Sequence, residues 1–147
     1  MHHENRMKLK RAYYEWHRKK YPSIPDHARP EPSYKDDTAN DLTDRIVDYV
    51  KYTGGFAEII IRMGRKIIKD GKEIWISGRG RNGTADIRVI LPGGMSARVE
   101  VKFGRDRISP DQYSYRDDVT AVGAFHMFAH SFDEFVGWYE EILNLMK

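Results

Sequence analysis

The sequence predicts an α/β protein, a mixed β-sheet flanked by helices, and three observations carry that prediction. Helix-periodic apolar residues begin near Thr38, and strand-like segments follow from Phe56 to Phe103. A Ser109-Pro110-Asp111-Gln112 helix start then leads into the apolar, strand-length run 123–129. A further amphipathic segment closes the chain. An antiparallel hairpin followed by helix and strand implies a parallel crossover through Asp111 to Ala121.

Residues 1–21 are rich in charge and aromatics, with Arg6, Lys8, Lys10, Arg11, Arg18, Lys19 and Lys20 outnumbering Glu4 and Glu15. Met7, Ala12, Tyr14 and Trp16 allow a helix with a ragged apolar face. Such a segment is either a basic aromatic arm that touches nucleic-acid phosphates, or a helix docked through its aromatic side chains. Residues 22–37 contain Pro22, Pro25, Pro30 and Pro32 and read as an extended Pro-rich linker. The domain proper spans 38–147.

Within it, Leu42, Ile46, Val47, Tyr49 and Val50 recur at helical spacing, and Gly54-Gly55 stops the helix. Phe56 to Arg62, Lys66 to Ile68 and Lys72 to Ser77 are strand-like, with a hairpin turn at Lys69-Asp70-Gly71. The loop Gly78-Arg79-Gly80-Arg81-Asn82-Gly83 is no P-loop, because the Lys-Ser/Thr ending and the following helix are missing. Its glycines let backbone approach a DNA phosphate, with charge from Arg79 and Arg81; the alternative is a solvated loop. Ser131 to Glu134 starts the last helix, and Phe132, Phe135, Val136, Tyr139, Ile142, Leu143 and Met146 form its buried face. His126 and His130 read as structural.

The chemistry concentrates in residues 83–112. Ile87 to Leu91 and Met95 to Phe103 flank Pro92-Gly93-Gly94, a turn expected as type I closed by a left-handed Gly94. Leu91 then faces Met95, and counting back sets Asp86 opposite Glu100. One face is apolar, from Ile87 to Phe103, and the other carries Asp86, Arg88, Arg98, Glu100 and Lys102. Two carboxylates with Cβ atoms about 5 Å apart repel unless a cation lies between them. Hard oxygens from Asp86, Glu100 and the Val101 carbonyl suit Mg²⁺ or Mn²⁺, and Lys102 is placed to orient water or stabilise a phosphate.

The ordered set Gly83-Thr84-Ala85-Asp86, Glu100-Val101-Lys102 and Ser109-Pro110-Asp111-Gln112 resembles the PD-(D/E)XK nuclease superfamily. It is most similar to the VRR-NUC group, typified by small stand-alone, often phage-encoded nucleases, over roughly residues 38 to 135. The resemblance implies a restriction-endonuclease-like sheet and a metal-dependent endodeoxyribonuclease. Asp86, Glu100 and Lys102 would then be catalytic, with Gln112 facing the site, although a capping box alone also explains Ser109 and Gln112. Family members usually carry a helix glutamate that helps hold metal; the nearest acids here are Asp41 and Asp44, and Asp41 aligns better by its distance to Ile46-Val47, as a shorter ligand or simply a first-turn helix acid. Arg105 and Arg107, in the loop after Lys102, and Arg116, one turn beyond Gln112, join Arg79 and Arg81 as expected DNA contacts. Stand-alone members resemble homodimeric resolvases of branched or junction DNA.

Composition narrows the alternatives. A chain of 147 residues suits one domain, and its formal charge of +3 is mild. Without cysteine there is neither disulfide nor cysteine zinc site, which fits a reducing, cytoplasmic setting. No apolar run is long enough to span a membrane, and the N-terminus is too polar for a signal peptide. A non-catalytic DNA-binding or assembly protein that keeps the nuclease fold is the rival expectation.

Overall fold

A computed structural model describes residues 1–61, 64–76, 78 and 80–147. Arg79, expected among the DNA contacts, lies outside the described residues, as do Arg62, Met63 and Ser77. The elements run α1 (His3–Lys20), a 3-10 turn at Asp26–Ala28, α2 (Ala39–Tyr52), β1 (Phe56–Ile59), β2 (Arg65–Lys69) and β3 (Lys72–Ile76). They continue with β4 (Ile87–Ile90), β5 (Ser96–Val101), α3 (Pro110–Ala121), β6 (Phe125–Ala129) and α4 (Phe132–Leu145). The protein is mixed α/β, with a four-stranded sheet in the order β1-β4-β5-β6 flanked by helices. The first two pairings are antiparallel; β5 and β6 pair in parallel through α3.

The β4–β5 register follows from side-chain alternation and the turn. Ile87 pairs with Val99 and Val89 with Ala97, and all four are fully buried. The next pair outward is Asp86 and Glu100. Leu91 N–H donates to the Met95 carbonyl at 2.8 Å, and Gly94 N–H to the Leu91 carbonyl at 2.9 Å. The turn differs from the expected type I: Gly93 sits at φ +94°, the positive value that type II requires at its third residue. Gly94 is also at positive φ, so the ladder resumes in the same register.

α1, α2 and α4 cover the apolar face. Leu9, Leu42, Ile46, Val50, Phe135 and Tyr139 meet Ile87, Val89 and Val99 there, all nearly inaccessible. Burying each such side chain stabilises the fold by about 2 kcal/mol. α1 is docked rather than free: Leu9, Ala12, Tyr13 and His17 are buried, and Trp16 packs against Tyr52. Much of its charge is paired within the molecule, Lys8 with Glu140, Lys10 with Glu31 and Arg18 with Asp26. The Pro-rich segment supplies two of those acids.

The opposite face of the sheet is covered at its β6 side by α3, where Tyr113 packs on Phe128 and Tyr115 on His126. β2 and β3 form a separate two-stranded sheet inserted between β1 and β4. Their turn uses two residues, Asp70 at φ +53° and Gly71 at φ +72°, the primed geometry that suits strand twist.

Candidate active site

Asp86, at the start of β4, and Glu100 and Lys102, at the end of β5, meet at the mouth of a cleft of about 600 Å³. The N-terminal turns of α2 form the opposite wall through Ala39, Asn40, Thr43 and Asp44. Ile59, Val101, Asp106 and Arg107 complete it. Backbone pairing fixes the strand ends: Ile60 N–H donates to the Asp86 carbonyl at 2.7 Å and Lys102 N–H to the Ala129 carbonyl at 2.9 Å. One Asp86 carboxylate oxygen, Oδ2, accepts from Val101 N–H at 2.8 Å.

Glu100 is 4% exposed and Lys102 7%. The Lys102 ammonium lies 3.3 Å from Glu100 Oε1, and the Gln112 amide Nε2 donates to the same oxygen. Glu100 Oε2 is buried and has no hydrogen-bond partner among the described residues. Burial, and then the Asp86 charge, push the Glu100 carboxyl up from 4.5 to about 7, against the opposing pull of Lys102 and Gln112. Burial also raises Asp86. Two carboxylates whose ionised forms are both disfavoured, with one buried oxygen unmatched, form a site short of positive charge.

That donor set fits Mg²⁺ or Mn²⁺. Hard oxygen ligands from one or two carboxylates, with the remaining positions left to water and phosphate, are what such ions take. Among the described residues no group of three or more His, Cys, Asp or Glu is arranged to hold a metal ion. The protein therefore offers a pair of carboxylates, not a closed cage.

Gln112 reaches Glu100 because α3 begins in the right place. Ser109 Oγ accepts from Gln112 N–H at 3.3 Å, and Gln112 Oε1 accepts from Ser109 N–H at 2.9 Å. The capping box thus holds the amide so that its Nε2 end is free for Glu100. Gly83, at φ +73°, packs against this helix start; a Cβ there would overlap the Asp111 carbonyl and lie 2.6 Å from the Gln112 nitrogen. The close backbone approach in the glycine loop is therefore to α3. Gly83→Ala is expected to lower stability by about 2 kcal/mol or more, by strain and overlap together. Urea denaturation measures this, and an unchanged midpoint would contradict the packing role.

Asp41 stands apart from the cleft. Its Oδ2 accepts from Thr38 N–H at 2.9 Å and from the Thr38 hydroxyl at 2.8 Å, and Thr38 Oγ1 accepts from Asp41 N–H. These bonds hold its carboxyl below the usual range. The α2 acid that lines the cleft is Asp44, one helical turn further on. Sequence reasoning weighed both acids and preferred Asp41; the Thr38-x-x-Asp41 spacing was the available signal that Asp41 serves as the cap.

The expected DNA-contacting arginines divide. Arg107 lines the cleft, and Arg105 is exposed in the same loop. Arg81 is held against α3 by Asp118 and by the Ser114 hydroxyl at 3.0 Å. Arg116 pairs with Asp117 at 2.7 Å and stacks its guanidinium 4.9 Å from the Tyr113 ring centre. His126 is half-buried, its pKa pushed down to about 4 by burial and by the charges of Arg116 and Arg98, so it is neutral.

No described helix is long and apolar enough to cross a membrane. No family model matches the chain, and no curated protein matches it. Among solved structures the chain is similar to one described as a VRR_NUC domain, at 22% identity. The match covers 69% of this chain and 94% of that one, with a TM-score of 0.48.

Proposed function

We propose that the protein is a metal-dependent nuclease that hydrolyses phosphodiester bonds in DNA at the Asp86–Glu100–Lys102 site. The observation that carries the reading is the buried Glu100–Lys102 pair beside Asp86, opening on a cleft with Glu100 Oε2 unmatched. Burying such charges costs several kcal/mol, and a fold needing only stability is better served by apolar residues. Asp86, Glu100 and the Val101 carbonyl would hold Mg²⁺ or Mn²⁺, which when bound acidifies water and polarises a phosphoryl oxygen. Lys102 restrains Glu100 and offers positive charge to the phosphate as it develops negative charge. Gln112 fixes the rotamer of Glu100 through Oε1, leaving Oε2 as the available ligand atom. The water oxygen gives up a proton to solvent as it forms the new bond to phosphorus, and the bond to the leaving sugar oxygen breaks, that oxygen taking a proton from solvent. Arg107 is positioned to hold a phosphate at the cleft wall.

Cleavage of labelled DNA with Mg²⁺ or Mn²⁺, abolished by EDTA, tests this reading. Within it, Asp44 serves the α2 side of the site, contacting metal through water. Asp44→Asn is expected to lower the rate about tenfold or more. Asp41→Asn is expected to act through a weakened helix cap, at about 1 kcal/mol of stability. Equal rates for Asp44→Asn and the wild type would remove Asp44 from the site.

The reading extends to a homodimer acting on branched or junction DNA, since a twofold axis presents two sites to two strands. A strictly monomeric mass in light scattering would contradict that extension. The second reading is a non-catalytic DNA-binding or assembly protein, favoured by the lack of a third clustered ligand among the described residues.

A further inference from the structure

We propose that the β2–β3 hairpin is a nucleic-acid clamp, gripping the backbone with its lysine tip and bases with Trp75 and Ile68. The proposal rests on the reading that the chain acts on nucleic acid, but not on the chemistry assigned to Asp86, Glu100 and Lys102.

The hairpin is unusual for how little covers it. Ile68 is 77% exposed and Trp75 62%, and Ile74 and Ile76 are each about 40% exposed. A two-stranded ribbon of this kind is marginally stable alone and gains from a partner. Its register sorts the side chains: Ile67, Lys69, Lys72, Ile74 and Ile76 share one face, and Lys66, Ile68, Glu73 and Trp75 the other.

Charge identifies the partner. Between Gly64 and Ile76 the chain carries four basic residues, Arg65, Lys66, Lys69 and Lys72, against Asp70 and Glu73. Lys69 and Lys72 pair directly across the tip, and like charges so placed destabilise a ribbon until an anion lies between them. Lys66 sits opposite Trp75 and pairs with Glu73 at 3.3 Å, so an exposed ion pair flanks an exposed indole, and the tip lysines carry the net positive charge. Lysines that track a backbone beside an aromatic that stacks on bases are the elements of a nucleic-acid surface. Exposed isoleucine serves there as the apolar wedge that opens a base step. A second copy packed tip to tip would instead set positive against positive.

Position agrees with charge. The hairpin leaves the main sheet after β1 and returns just before Asp86, and its base is pinned by the Ile60 N–H to Asp86 carbonyl bond. Each five-residue strand extends about 17 Å, and a two-stranded ribbon is narrow enough for a DNA major groove.

Fluorescence anisotropy with labelled linear duplex and labelled single strand, in EDTA, reads binding apart from cleavage. The full chain is expected to bind. Lys69→Ala/Lys72→Ala should weaken affinity about tenfold at moderate salt and make the log–log salt dependence shallower by about two. Trp75→Ala should weaken single-strand binding about tenfold, and Lys69→Arg/Lys72→Arg should bind as the wild type. Unchanged thermal unfolding in all three variants confirms that only the surface has changed. Unaltered affinity and salt slope would overturn the proposal. Conversion of a dimer to a monomer with an unaltered slope would also overturn it, and would assign the hairpin to a second copy. If the nuclease reading alone fails, no cleavage occurs with Mg²⁺ or Mn²⁺ while hairpin-dependent binding persists.

Discussion

Lys102→Ala is expected to lower the rate of DNA cleavage by about 100- to 1,000-fold, with DNA affinity largely retained. The ammonium is buried beside Glu100 Oε1, where water does not screen it, and so its effect on a developing phosphate charge is large. Removing it also leaves Glu100 without its nearest cation, which raises that carboxyl further. Lys102→Met keeps the buried aliphatic stem and separates lost charge from lost packing. Both variants should show the same loss in single-turnover rate. Full activity in either would remove Lys102 from the mechanism.

The second large effect is on stability as a function of pH. The Glu100 carboxyl has an ordinary value of 4.5 and a folded value of about 7, so the folded state binds its proton more tightly than the unfolded chain does. Stability is therefore highest below pH 4.5 as far as this group is concerned, and it falls as pH rises towards 7. The loss amounts to about 3 kcal/mol by pH 8, and Asp86, raised in the same direction, adds to it. Denaturation in EDTA across pH 5 to 8, with Glu100→Gln beside the wild type to cancel the opposite rise that His126 contributes below about 6.5, should show the extra decline in the wild type, and Mn²⁺ should reverse much of it at pH 8 by binding the ionised pair. A ¹³C titration of the Glu100 carboxyl places its midpoint directly. Asp86→Asn should lower that midpoint without restoring 4.5, because burial remains. A wild-type midpoint near 4.5 would contradict the buried, unmatched carboxylate.

The Asp86–Glu100 register was legible because strand alternation and turn length both select it, and a slip of one residue would turn Glu100 into the apolar core. The turn type was not legible: with Gly93 and Gly94 adjacent, both type I and type II are open to the backbone, and either restores the same pairing. The choice between Asp41 and Asp44 turned on which acid closes the cap. These residues lie three apart on one helix face, so periodicity alone does not separate them. The docking of α1 was one of the two readings its sequence offered, and composition alone did not decide between them. Tyr13 and His17 are buried beside Leu9 and Ala12 only because α2 and α4 present a surface for them, and that contact is non-local. The β2–β3 ribbon was visible as strands, but whether strands join a sheet depends on partners distant in sequence.

The most direct measurement is cleavage of a labelled panel of linear duplex, single strand, flap and four-way junction DNA, with Mg²⁺ or Mn²⁺, by the wild type and by Asp86→Asn. The account predicts metal-dependent cleavage by the wild type that disappears in the variant, with the preferred member of the panel naming the substrate. Equal cleavage by Asp86→Asn, or no cleavage of any member with either ion, would contradict it.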